Sequence, residues 1–364
     1  MQEQISNKQA GWLVMMAVIG TVFLPITKIV TGAAGPNGWL SLIIGYSATL
    51  MPAFFMYVLL KKNSGKNIVQ ISEFLLSKPI GKLVGLILFF LFFYLTAMVA
   101  RVLGIIYNTA VMDRTPIIVF VLAMVLLAIM AVRQGIEVLA RINEILLVIV
   151  VASLLVMFFI AMPDVDINNF RPLLAEGIWP VGQGAIFSFA LGMEYVLLLG
   201  VILPVVRQEE KAFTAVVLGA LGGAMILLSV VIGAVGQFGA EEVLRFLYPP
   251  IQLASVLEIG DFIKGIEVLL LGAWTAASLM EISLFLYAAT VILGQTLEFK
   301  DYRPLVSPLA VLAVTVALIP NNSQNVLVEL EILTNLFFLP VALLLLILLT
   351  MVAFTKRGKK HAKY

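Results

Sequence analysis

The sequence predicts an all-α polytopic membrane protein: ten transmembrane helices in a five-plus-five inverted repeat, with helices one and six broken. Three observations carry this reading. Of 364 residues, 62% are hydrophobic and 12% charged, against about 45–50% and about 25% in a typical soluble domain. With a mean hydropathy of +1.10, polar surface is too scarce to cover a globule, so most of the chain is solvated by lipid. Ten apolar runs reach the roughly 20 residues that a helix needs to cross a bilayer. Runs this long also exclude a barrel, whose strands alternate over about 10 residues.

The spans follow in order. Residues 10–31 have span length and no small-residue cleavage site, so they are expected to stay as a helix rather than leave as a signal. Residues 38–60 form the second span. Residues 82–112 exceed the bilayer thickness and must tilt or project. Residues 115–132 and 138–162 complete a first repeat over 10–162. The second repeat, 182–354, holds spans at 182–206, 212–237, 262–294, 304–320 and 331–354, with a basic tail at 355–364. The whole of 1–364 reads as a single transmembrane domain. Between the repeats, loop 164–179 is the longest outer connection among the early spans, a passive link or a lid. Residues 248–261, opened by Pro249 and Pro250, form an amphipathic stretch expected along the outer surface. Gly219 and Gly223 mark a close helix contact.

Basic residues set the orientation. One set of ends and loops carries Lys8, Lys61, Lys62, Lys66, Lys78, Lys82, Arg133, Arg141, Arg207, Lys211, Lys300, Arg303 and the tail; the other holds Arg114, Arg171, Arg245 and Lys264. Both termini are therefore expected in the cytoplasm, as an even number of crossings requires. Five spans per repeat is odd, so the second repeat enters inverted, the layout of a large transporter class.

The opening helix of each repeat carries breakers at its middle. Gly20-Thr21-Val22-Phe23-Leu24-Pro25 interrupts the first, and Leu191-Gly192-Met193-Glu194 the sixth. Proline removes a donor and glycine weakens a helix interior. Amides and carbonyls freed there suit a carboxylate and an ammonium, the two ends of an amino acid. Thr21, Val22, Phe23, Leu191, Gly192 and Glu194 are thus the first candidates for substrate contact.

Ionisable residues inside spans are functional candidates by default. Glu194 lies too deep to reach the interface; it binds a substrate ammonium, holds a proton, or bridges helices as a neutral acid. Lys28 is expected to snorkel, Arg101 to pair with Glu267 or Glu194, and Glu281 to face Arg133 or Arg141. Polar and aromatic residues available to the same cavity are Tyr94, Ser188, Ser283, Tyr287, Thr290, Asn335, Phe337 and Phe338. The chain has no cysteine, and its one histidine, His361, lies in the basic tail; no metal or cofactor is expected. The net charge of +2 gives no general attraction to nucleic acid. No H-E-x-x-H, G-x-S-x-G, P-loop or dinucleotide motif occurs, which argues against an enzyme.

Three stretches resemble the spore germination protein family, specifically the multi-spanning B subunit of nutrient germinant receptors, within the amino acid–polyamine–organocation superfamily. They are Gly135-Ile136-Glu137-Val138-Leu139-Ala140-Arg141-Ile142-Asn143-Glu144; Gly192-Met193-Glu194 with Leu203-Pro204; and Tyr248-Pro249-Pro250 through Ile259-Gly260-Asp261-Phe262 to Glu267 and Trp274. The resemblance implies the ten-helix inverted-repeat fold and the spore inner membrane. It also implies assembly with an A subunit and a lipoprotein C subunit, and a small nutrient, usually an amino acid, that triggers germination. Read from the residues alone, Glu137, Arg141 and Glu144 form an ion-pair cluster at a helix start. The alternative on the same fold is a proton-coupled amino-acid permease with Glu194 as carrier.

Overall fold

The computed structural model describes residues 3–207, 209–257, 265–319 and 326–361. Phe262 and Pro320, which bound predicted spans, and residues 259–262 of the third motif lie outside the described residues. So do the side chains of Thr21 and His361.

Among the described residues the regular structure is helical, apart from an isolated bridge between Ile5 and Val206. Helix α1 (Asn7–Ile19) starts in a capping box: Ser6 Oγ accepts from the Gln9 amide, and the Gln9 side chain accepts from the Ser6 amide. After an interruption comes α2 (Ile26–Ala34). The chain then reverses through Gly35, whose φ of 55° needs a glycine. A Cβ on Gly38 would lie 2.8 Å from the Val30 carbonyl, so α3 (Gly38–Ala48) folds directly back on α2. Helix α4 (Leu50–Lys62) continues α3 after a bend at Thr49. Pro52 has no N–H to return to the Ala48 carbonyl, which explains the bend.

The sequence reading missed α5 (Ile68–Leu75), a short helix capped by Asn67 whose Ile68, Val69, Ile71 and Leu75 are buried. Then come α6 (Lys78–Ala110), α7 (Ile117–Arg133), α8 (Ile136–Ala161), α9 (Trp179–Ile202) and α10 (Glu209–Phe238). Short helices α11 (Ala240–Arg245) and α12 (Pro249–Val256) lead to α13 (Ile266–Thr296) and α14 (Arg303–Leu318). The last stretch joins α15 (Val326–Ile332) through a π-helical turn, Leu333–Phe338, to α16 (Leu339–His361).

Among the described residues, seven segments are long and apolar enough to cross a membrane, and α7 and α14 are shorter apolar helices. The chain is a multi-pass membrane protein. The most apolar window of α9 is 89% buried, against 28% for α8: α9 is the axis of the bundle, while α8 faces lipid. Lipid is as apolar as leucine, so close backbone approach rather than hydrophobic transfer holds such helices together. A Cβ on Gly219 of α10 would lie 2.0 Å from the Gly11 carbonyl oxygen of α1, and one on Gly223 2.8 Å from Val18 Cβ. The glycine pair is the seam between α1 and α10.

The residues before α1 tie three distant segments together. Glu3 accepts from the Ile136 amide at the start of α8 and pairs with Arg303 at 2.5 Å. The Gln4 amide donates to Glu137 at 2.8 Å, and Ile5 exchanges backbone hydrogen bonds with Val205 and Arg207. This corrects the ion-pair reading of the loop motif: Glu137 caps the N-terminal segment, and Arg141 is exposed. Loop 164–179 is likewise pinned, through the Asp166 amide and Asn169 side chain to the Gly236 carbonyl.

Candidate functional site

The first helix stops where a carboxylate enters. Gly20 ends α1 with its amide still donating to Met16, a 3-10 turn covers Thr21–Phe23, and Pro25 opens α2. A Cβ on Gly20 would lie 2.2 Å from Glu281 Oε2 and 3.1 Å from its Cβ, so a side chain there would have to displace that acid. Glu281 is buried at the middle of α13 and lies against the break. It was expected to face Arg133 or Arg141, but both are exposed at the bundle's end. Val22 and Phe23 are buried, and α6 and α13 pack on the turn.

The second wall is α9, and here the expectation of a broken sixth helix fails. The helix runs unbroken from Trp179 to Ile202. No proline interrupts its interior, and Gly192 serves packing instead: a Cβ there would lie 2.1 Å from Thr49 Cγ2. The close approach brings the bend of α3–α4 onto α9. Thr49 Oγ1 donates to the Tyr46 carbonyl at 2.6 Å and shares a short hydrogen bond with the Tyr195 hydroxyl. Glu194, buried beside Tyr195, lies within electrostatic range of Glu281; Tyr46 stands in the field of both acids. Two carboxyl groups and three hydroxyls thus converge beside a helix break. Carboxylates hold an ammonium, and hydroxyls give or accept hydrogen bonds, so the junction suits a small zwitterion or a proton. Sequence reasoning missed Tyr46, Thr49 and Tyr195; Pro52, three residues after Thr49, was the available signal.

The other candidates disperse. Ser188, Ser283 and Thr290 are buried and return their hydroxyls to the carbonyls of Gly184, Leu279 and Leu286 in their own helices. Ser188 also abuts Gly45, in the α3–α9 seam. Leu191 is buried in α9, and Tyr287 meets Tyr302 edge-on at 5.5 Å between centroids. Tyr94, Phe337 and Phe338 line a separate apolar groove of about 610 Å³ between α6, α14 and the π-helical turn. Lys28 reaches the Phe246 carbonyl at 2.8 Å, and lines a cleft with Gln183, Glu331 and Asn335. Arg101, expected to pair with Glu267 or Glu194, meets Glu329 of α15 at 3.6 Å instead.

Comparison with known proteins decides the family. The model of the family described as spore germination protein matches residues 4–326. The chain belongs to that family. This spore germination protein is 26% identical over 357 residues to spore germination protein A2 of Bacillus subtilis (strain 168), covering 95% of this chain and 96% of the relative. It is 25% identical over 369 residues to spore germination protein KB of the same organism, covering 98% and 96%. Among solved structures it shares its fold with Mhp1, a nucleobase-cation-symport-1 family transporter (TM-score 0.69, 12% identity, 95% of this chain and 78% of that one). It also shares it with MhsT in complex with L-phenylalanine (TM-score 0.66, 14% identity, 95% and 89%).

Proposed function

We propose that this spore germination protein is the membrane subunit of a nutrient germinant receptor. It binds a small nutrient, an amino acid by the chemistry of the site, in a transporter-like cavity and triggers germination. The observation that carries the reading is the meeting of Gly20, Glu281, Glu194 and Tyr195 at one buried junction. The ammonium lies on Glu194, the carboxylate on backbone groups of Thr21–Phe23, and Tyr46, Thr49 and Tyr195 complete the contact. Val22, Phe23, Leu191 and Gly192 shape its walls. A ligand acts here only by binding two states of the bundle unequally.

The architecture supporting this is ten crossings. The reversal at Gly35–Asn37 divides the apolar stretch Ile26–Lys62, its first half completing the broken first span. With α7 and α14 the crossings number ten, in two inverted sets of five and with both termini cytoplasmic. The A subunit and the lipoprotein C subunit are the partners, in the spore inner membrane.

The test is Glu194→Gln with nutrient binding to the purified chain. Affinity is expected to fall on the order of 10- to 100-fold, matching a charged hydrogen bond of about 1.5–3 kcal/mol. A variant that assembles normally and binds with unchanged affinity removes Glu194 from the site. The two neighbouring buried acids also favour a second reading, a proton-coupled amino-acid permease with Glu194 as carrier. Counterflow in liposomes separates them: saturable exchange favours the permease, binding without exchange the sensor.

A further inference from the structure

A second cleft, with none of the junction's acids or hydroxyls in its lining, opens between α7, α8 and α13. Its volume is about 740 Å³, within the range of ligand sites of about 300–1,000 Å³. The mouth is basic. Arg133 ends α7, Arg303 begins α14, and the Arg303 Nε donates to the Arg133 backbone carbonyl at 3.1 Å, which holds the start of α14 against the end of α7; both arginines line the mouth with Gln134. Arg303 is partly neutralised by Glu3 and Asp301. Among the described residues Arg133 has no salt-bridge partner, and its side chain is exposed. Arg141, also exposed, follows Val138 by one turn of α8.

Behind that mouth the wall is apolar. Leu127 and Met130 are exposed on α7, and Leu279 and Met280 form the floor. Ser283 reaches the floor too, but its hydroxyl is spent on the Leu279 carbonyl at 2.8 Å. From Leu127 to Arg133 the cleft runs about 9 Å along α7, at about 1.5 Å per residue. Arginines at the ends of two helices and an apolar wall whose Leu127 and Met130 are exposed match one kind of ligand. A soluble anion would meet the arginines but leave the channel unused, whereas a basic pocket between membrane helices suits a lipid head group.

We propose that this cleft binds an anionic phospholipid, its phosphate on Arg133 and Arg303 and an acyl chain along Leu127, Met130 and Leu279. Met280 on the floor precedes Glu281, so the lipid sits one residue from the acid that fills the break of the first helix. The site stands independently of which nutrient, if any, the central junction takes.

Native mass spectrometry of the full chain in detergent tests this, with phosphatidylglycerol and phosphatidylcholine of identical chains as probes. Phosphatidylglycerol should be retained in preference, and Arg133→Gln, at an exposed helix end, should lower its apparent affinity about fivefold without changing phosphatidylcholine. Val138→Phe, which fills the channel, should reduce retention of phosphatidylglycerol while the elution volume stays that of the folded protein. Equal binding of the two lipids overturns the proposal, as does an Arg133→Gln variant that keeps the preference. Full competition by soluble glycerol phosphate would mark a free-phosphate site, and a second copy of the chain in place of lipid would mark an oligomer contact; either also overturns it.

Discussion

At the scale of single residues, two acids in the membrane have different legibility. Glu194 stood out because an ionised group in a span is costly wherever it points. Glu281 was equally visible, but its partner was not, since depth along a helix can be counted while the direction its side chain faces depends on packing. Tyr46, Thr49 and Tyr195 carried no signal of their own, because hydroxyl residues in spans are ordinary; only Pro52, three residues after Thr49, hinted at the bend that brings them in. The contact of Gly20 with Glu281 makes a sharp prediction. Gly20→Ala places a methyl 2.2 Å from Glu281 Oε2 and should cost about 1–3 kcal/mol as overpacking. Adding Glu281→Ala should recover part of this, with a coupling of about 0.5–3 kcal/mol in a double-mutant cycle read by thermal unfolding in detergent. Strict additivity would separate the two residues. A surface residue offers a pH test. Glu298 accepts from Lys78 at 2.6 Å and Lys82 at 2.8 Å, and the hydrogen bond from Lys78 leads in holding its carboxyl down at about 2, below the usual 4.5. A depressed pKa stabilises the fold above about pH 4.5, and the contribution is lost as pH falls toward 2. Glu298→Gln should therefore melt slightly below the parent at pH 6, and the gap should narrow at pH 3. The pair is exposed, so the gap is small.

At the scale of elements, apolar length and breaker residues foretell different things. Lengths were legible: the third predicted span, 82–112, meets Lys78–Ala110, and the fifth, 138–162, meets Ile136–Ala161. Glycine was ambiguous. Gly20 with Pro25 sits at an interruption, where the proline lacks a donor and a carboxylate takes the space a side chain would occupy. Gly192 sits in an unbroken helix, where the same missing side chain admits Thr49. Sequence cannot tell an opening from a close contact, because both need only the absence of a Cβ. The helix α5 escaped for another reason, being too short to register as a span. The seam between α1 and α10 carries the element-scale prediction. Its obstacle is backbone, the Gly11 carbonyl at 2.0 Å, which cannot rotate away as a side chain can. Gly219→Leu should therefore lower the unfolding temperature far more than Gly222→Leu on the same helix, where the nearest atoms are the flexible Met15 side chain at 3.3 Å. Equal effects would show that α1 and α10 do not meet there.

At the scale of the whole molecule, one asymmetry governs how the bundle sits in its membrane. Lys61, Lys62, Lys66, Lys78 and Lys82 flank α5, Arg133 and Arg141 flank the α7–α8 turn, and Arg303 opens α14; the ends opposite hold Arg114, Arg171 and Arg245. Basic residues in short loops resist translocation, so we propose that the richer face stays in the cytoplasm. The N-terminal segment reinforces the assignment, because Glu3, Gln4 and Ile5 bind the start of α8, Arg303 and Val205, all on that richer face. The ten crossings proposed above would return the C-terminus to the same side. The prediction is a pair of labelling results on intact cells. A tag after Tyr364 should be refractory to an impermeant reagent until the membrane is opened, while a cysteine at Glu176, exposed in the loop before α9, should react at once. The chain has no native cysteine to confuse the reading. Labelling of the C-terminal tag but not of an N-terminal one in sealed cells would mean an odd number of crossings. The five-plus-five repeat would then go, and with it the pairing of α1 and α9 as corresponding helices around one site.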